Sequence, residues 1–165
     1  NGAQPIEWIG SRHMTGARLF AMPRLRPVRI RAGALGIKRP DQELLVSPEH
    51  RMLISGAVAR DLFNTSEVLV AAKDLIDDRL VMTDTQARSV TYIHLLLPGH
   101  NVIWANGVET ESFHPANTVL DSIADHDRSG LLKLHQDLVS DPFTYGGHIR
   151  RNLSGSEAAI LLGHA

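Results

Sequence analysis

Short apolar runs, mostly four to eight residues long, recur through the first two thirds of the chain: Pro5–Ile9, Pro27–Ile30, Glu43–Val46, Arg51–Ile54, Glu67–Val70, Arg79–Met82, Val90–Leu97 and Asn101–Trp104. Runs of this length, rich in Val and Ile and bounded by turn residues, predict strands rather than helices. Pro98-Gly99 separates the last two runs and Asn106-Gly107 follows the second. Asn-Gly is the strongest short hairpin signal, because both central residues of its turn need a positive φ. Two helical interruptions are expected, one over 15–22 with Thr15 as N-cap and one short turn over 71–76. Many short strands at this spacing predict a mainly β body, a compact sandwich or barrel, over residues 1–113.

The pattern changes after Phe113. Val119, Leu120, Ile123, Leu131, Leu132, Leu134, Leu138 and Val139 are spaced for helix in two stretches. Asp127 to Gly130 falls between them, which predicts a helix-turn-helix-like appendage packing its apolar stripe on the β body. A last helix is expected from Ser154 or Ser156 to Gly163, with Ser156-Glu157 as cap chemistry and Gly163 as its stop. Residues 114–165 are therefore expected to form a C-terminal helical extension.

Composition narrows the chemistry. The chain has 165 residues, 43% hydrophobic and 21% charged, with net charge −1; this suits one domain with its own core. Basic residues are dispersed among acids, so no nucleic-acid partner is expected. Arg24, Arg26, Arg29 and Arg31 form the one basic cluster, and their spacing reads as the solvated edge of a strand. Cysteine is absent, which excludes a disulfide, a Cys-based zinc site and a catalytic thiol within these residues. No apolar run reaches the length of a membrane span, so no membrane association is expected. Asn1 to Pro5 carries no signal-peptide pattern and no initiator Met. The chain is expected to begin inside a longer sequence, and its compartment and oligomeric state stay open.

Two stretches carry a resemblance. Leu44-Leu45-Val46-Ser47-Pro48-Glu49-His50-Arg51-Met52-Leu53-Ile54 looks like the second block of Hint domains, the Hedgehog/intein self-processing fold, where a Thr/Ser-x-x-His box lies between two strands. Residues 90–113, VTYIHLLLPGHNVIWANGVETESF, resemble the C-terminal hairpin blocks of inteins. Arg26-Pro27-Val28-Arg29-Ile30 followed by Gly33-Ala34-Leu35-Gly36 is similar to a bacterial subfamily of these domains. A lone Ser-x-x-His means little; the box followed at the right distance by the whole hairpin is a specific signal.

The resemblance implies a compact Hint-type β fold and an N-to-S or N-to-O acyl shift. In that reaction a Cys or Ser attacks the preceding carbonyl and converts a peptide into a (thio)ester, which a second nucleophile then breaks. The amide is planar and its nitrogen is a poor leaving group, so the protein must protonate that nitrogen and stabilise an oxyanion. By resemblance, His50 donates the proton and Ser47 fixes the carbonyl or the imidazole. Read alone, Ser47 and His50 are an ordinary turn. His94 falls at or beside a position where inteins carry a catalytic Asp. Ile93 competes for that place, because a shift of one residue inverts the face of the strand. His100, beside Asn101, matches the His-Asn of the hairpin turn, with a structural or a site role. No cofactor and no metal are expected: His13, His114, His126, His135, His148 and His164 read as dispersed surface or capping residues. Glu49, Glu109 and Glu111 read as solvated charges, with Glu49 placed to raise the pKa of His50.

The departures from the family bear on function. Inteins end their last strand with His-Asn, and the Asn cyclises; Glu111-Ser112 stands there instead, so full splicing is not expected. The family's first block, with its nucleophile, is expected ahead of Asn1, and these residues alone do not carry the first chemical step. Hedgehog-like cleavage at the N-terminal junction, with the chain's own N-terminal extension as substrate, is the leading expectation. The alternative is an inactive Hint-fold module with a structural or binding role. A conventional hydrolase built on Ser112 and His114 is disfavoured, since no G-x-S-x-G elbow and no orienting acid accompany them.

Overall fold

The computed structural model describes residues 2–164; Asn1 and Ala165, at the outer ends of the two expected regions, lie outside them. Among the described residues, ten strands form three sheets. The longest antiparallel ladder joins β1 (Trp8–Thr15) to β7 (Ser89–Leu96). Strand β2 (Val28–Ile30) is flanked by β3 (Leu44–Val46) and β6 (Val81–Thr83). The third sheet runs in the order β10 (Arg151–Asn152), β5 (Glu67–Ala71), β4 (Arg51–Ser55), β9 (Val108–Glu111), β8 (Val102–Ala105).

Turn chemistry sets the register of the last hairpin. Ala105 pairs with Val108 across Asn106-Gly107, and both turn residues have positive φ, 48° and 72°, as a two-residue primed turn demands. Helix α1 (Gly16–Ala21) is capped by the Thr15 side chain, which accepts from Arg18 N–H. Residues 72–75 form the expected single turn. Helix α2 (Ala57–Phe63), which the apolar pattern does not announce, is bracketed by Gly56 at φ 152° and by Asn64 in the left-handed region.

Three expectations are corrected. Strand β1 starts later than Pro5–Ile9 and runs through the polar Ser11-Arg12-His13, because all eight of its residues find partners on β7. Strand β2 is a central strand, not an edge, and Arg29 pairs with Asp84 at 2.7 Å and with Glu43. Residues 127–130 do not break a helix but lie inside α3 (Asp125–Leu134). Asp127 Oδ2 accepts from Ser11 N and Oγ at 2.8 and 2.9 Å, and its carbonyl accepts from Trp8 Nε1 at 2.8 Å. A Cβ on Gly130 would sit 3.6 Å from Trp8 Nε1. Tertiary bonds thus hold helical a stretch of weak formers.

Two cores fix the site. One gathers Val28, Ile30, Met52, Val68, Val70 and Val108 with Leu153, Ala158 and Leu161, the last two from α4 (Gly155–Gly163). That helix starts at a capping box in which Ser154 and Glu157 bond reciprocally. The other packs Trp8, Leu96 and Phe113 against Ile123, Leu131 and Leu138. Each fully buried Leu or Ile contributes about 1.5–3 kcal/mol, so the C-terminal segment is a structural part of the β body's packing. No described helix is long and apolar enough to cross a membrane.

Candidate functional site

A cleft of about 320 Å³ opens where β3, β7 and the β8–β9 hairpin converge, and Ser47, His50, His94, Thr110, Glu111 and Phe113 are among its lining residues. Three of the four sequence-derived site residues therefore share one cavity. They come from segments more than forty residues apart, 47–50 and 94.

His50 enters through a tight turn in which its N–H donates to Ser47 O at 3.0 Å. Its Nε2 contacts Thr110 Oγ1, and Thr110 Oγ1 also lies 2.8 Å from Arg51 O. A carbonyl can only accept, so the Thr110 hydroxyl gives its single hydrogen to Arg51 O and must itself accept from His50 Nε2–H. This is the assignment that satisfies both contacts, and it leaves Nδ1 as the basic atom of the ring. Burial lowers the His50 pKa; Glu111 opposes that shift, while Arg51 and His100 add to it. The expectation that Glu49 raises it is corrected. Glu49 is engaged with Lys73 at 2.6 Å on the surface, and Glu111 supplies the negative charge instead.

His94 faces inward on β7, its ring centroid 4.9 Å from that of Phe113, while Ile93 is 59% exposed. His94 is the more buried of the two, and both line the cleft. Its Nε2 is buried without a hydrogen-bond partner in the described residues, and burial, with help from His50 and Arg12, lowers its pKa to about 4. At neutral pH the ring is an uncharged group with an unused polar atom.

His100 does not reach the cleft. It is 6% exposed, behind the cleft wall, where its Nδ1 accepts from Ile149 N–H at 3.0 Å and its Nε2 lies 3.3 Å from Glu111 Oε2. Two further histidines join it, with ring centroids 5.0 Å (His114) and 5.6 Å (His148) away. These two are not dispersed surface residues: His114 is 1% exposed, although it does cap, accepting from Ala116 N–H at 3.2 Å. Both His114 nitrogens are used, Nε2 facing Gly146 O at 3.0 Å, so the cluster leaves no free ligand set. No group of described residues could hold a metal ion.

The largest correction concerns Glu111, which is 4% exposed and not solvated. Its Oε1 accepts from Arg51 N–H at 3.1 Å and its Oε2 from Asn117 Nδ2 at 3.1 Å. Burial alone would raise its pKa, but the His100 contact and the charges of His50, Arg51 and His100 outweigh it and hold the carboxyl below its ordinary value. Glu109, the other charge of the strand, pairs with Arg39 at 2.6 Å. Strand alternation puts Thr110 on the buried face with Val108, so that residue was recoverable from the sequence. Glu111 was not, because the segment that covers it lies further along the chain.

A family model described as Hint domain matches residues 1–117. No curated protein and no solved structure matches at a significant level. Since that family match spans well over half of the 165 residues, the chain belongs to the Hint domain family.

Proposed function

We propose that this domain cuts the peptide bond at its own N-terminal junction once, through an acyl shift, in the manner of Hedgehog proteins rather than by full splicing. Hint domains are known for autoprocessing and splicing and act on their own flanking sequence. The observation that supports the reading is the convergence of Ser47, His50 and His94 on one cleft, with Thr110 fixing the His50 ring.

In this reading the nucleophile is a Cys or Ser at the junction, ahead of the 165 residues. Its sulfur or oxygen bonds to the preceding carbonyl carbon, the C–N bond breaks, and the departing nitrogen takes a proton from His50 Nδ1. A low His50 pKa makes the protonated ring a stronger acid toward that nitrogen. Ser47, whose hydroxyl has no hydrogen-bond partner among the described residues, faces the carbonyl oxygen. His94 is neutral at pH 7, and its free ring nitrogen first accepts a hydrogen bond from the attacking group and then takes its proton, which balances the proton that His50 gives to the nitrogen. Water or another nucleophile then opens the (thio)ester. Glu111 and Ser112 are both buried, and neither offers the cyclising amide that a second cleavage requires. Residues 114–165 act as a buttress to the site rather than as a separate unit.

The test is a precursor carrying its natural upstream residues, incubated with hydroxylamine or a small thiol and followed by mass spectrometry. Cleavage at one junction before a Cys or Ser, accelerated by either reagent and slowed by Ser47→Ala, is expected. A precursor that stays intact under every condition favours an inactive Hint-fold module.

A further inference from the structure

In the wall of the cleft a carboxylate is buried beside the residues that hold the imidazole, and the acyl-shift scheme gives it no task. Glu111 is 4% exposed and follows Thr110, whose hydroxyl grips the His50 ring. Its Oε1 accepts from the backbone N–H of Arg51, the residue that follows His50, at 3.1 Å. One side chain thus ties the end of β9 to the first residue of β4, and His50 sits between that tie and the turn at Ser47. The carboxylate is itself held. Asn117 Nδ2 donates to Oε2 at 3.1 Å, His100 Nε2 lies 3.3 Å away and Arg51 Nη1 lies 3.6 Å away. His100 Nδ1 accepts from Ile149 N–H, so its hydrogen is on Nε2, the ring atom nearest the carboxylate, at a distance of contact but without the geometry of a hydrogen bond. Isolated buried carboxylates are costly and are retained when such donors surround them.

We propose that Glu111 is a positioning residue for His50: it anchors the backbone at Arg51 and sets a fixed negative charge behind the imidazole, so that the ring is aimed into the cleft and can carry the proton it must give up. The inference rests on the self-cleavage reading for its use, but the charge and the anchor are testable without it. The charged and titratable groups around the pair are Arg51 on β4, His94 on β7, His100 in the β7–β8 turn, and His114 and His148 in the segments that cover β9. Glu111 is the negative member of this group; Glu49, which also lines the cleft, is paired with Lys73. Burial, Arg51 and His100 all disfavour a charged His50, and Glu111 alone opposes them.

The experiment has two arms. In the first, ring resonances of His50, assigned with His50→Gln, are titrated by NMR in the 165-residue chain, in Glu111→Gln and in Asn117→Ala. Glu111→Gln is expected to move the His50 midpoint to lower pH. Asn117→Ala, which loosens the carboxylate and keeps its charge, is expected to leave that midpoint in place. Equal shifts in both variants, or none in Glu111→Gln, overturn the inference. If Glu111→Gln does not fold, the wild-type chain decides: the Glu111 side-chain carboxyl carbon must show an inflection at the His50 midpoint, and its absence overturns the inference. In the second arm, precursor cleavage is followed against pH. Glu111→Gln is expected to slow it about tenfold at neutral pH, equivalent to one pKa unit at the proton donor, and to move the profile toward acid. A precursor that never cleaves removes the self-cleavage reading and leaves the first arm to judge Glu111. Cleavage in Glu111→Gln at the wild-type rate and with the wild-type profile overturns the positioning role.

Discussion

Replacing Thr110 with Val keeps the shape of a side chain that is 1% exposed and deletes the hydroxyl between His50 Nε2 and Arg51 O. Because no cavity opens, the cost comes from two buried polar groups losing a partner. Each lost bond is worth about 1 kcal/mol net, and a stranded buried group costs roughly 1–3 kcal/mol, so about 2–3 kcal/mol of stability should go. At this chain length that lowers Tm by about 5–10 °C. The chemical effect is separate. Without the hydroxyl nothing pins the Nε2–H tautomer, and a general acid held loosely loses part of a contribution of about 10²–10⁴-fold; cleavage should slow by roughly 10–100-fold. Thermal melts measure the first quantity and precursor cleavage the second. Long-range ¹H–¹⁵N spectra read the tautomer, with Nε2 protonated in the wild type and a mixture in Thr110→Val. A wild-type ring protonated at Nδ1, or a variant that melts and cleaves like the wild type, would show that Thr110 does not hold the ring.

Two further outcomes follow from the same contacts. Gly10→Ala should fail through Trp8: the new Cβ would lie 2.0 Å from an indole carbon, and the ring cannot yield freely because it donates to Asp127 O and packs on Phe113. Overpacking of this kind costs typically 1–3 kcal/mol, and a chemical-denaturation midpoint unchanged from wild type contradicts the packing described. The histidines predict acid sensitivity. His94 and His148 are lowered to about 4, and His50 and His114 are also lowered. The unfolded chain then binds more protons than the folded one between these values and the ordinary 6.5. The histidine contribution to stability is therefore complete above about pH 6.5 and is lost toward pH 4, with His94 alone accounting for up to about 3 kcal/mol. The half-exposed His148 adds less, because solvent screens it. Denaturant melts at pH 7 and pH 5 measure the slope, and His94→Gln should flatten it; a wild-type chain equally stable at both pH values contradicts the burial of these rings.

The local signals in the chain carried their elements well where they were self-contained. Thr15 caps its helix, Asn106-Gly107 turns its hairpin and Ser154 begins the last helix, because each depends on residues a few positions away. The failures share one cause, contacts over long separations. Asp127 and Gly130 look like a break until Trp8 and Ser11 supply the bonds that keep the helix. Glu111 looks like a solvated strand charge until Arg51, Asn117 and His100 surround it. His148 gives no sign of its position until the chain returns to stack it on His114, ring centroids 4.3 Å apart. The box at Ser47–His50 and the hairpin of 90–113 were legible because the family resemblance fixes order and spacing together. What no local pattern could show is which strand faces turn toward a common cleft.

In the proposed reaction the imidazole of His50 gives a proton to the amide nitrogen that leaves. The most direct measurement of this step is the cleavage rate of the precursor with and without His50→Ala, each shown to be folded by its amide spectrum. A folded His50→Ala precursor that accumulates uncut, beside a wild type that resolves into two fragments, is the predicted result. A folded His50→Ala precursor that cleaves at the wild-type rate contradicts the account.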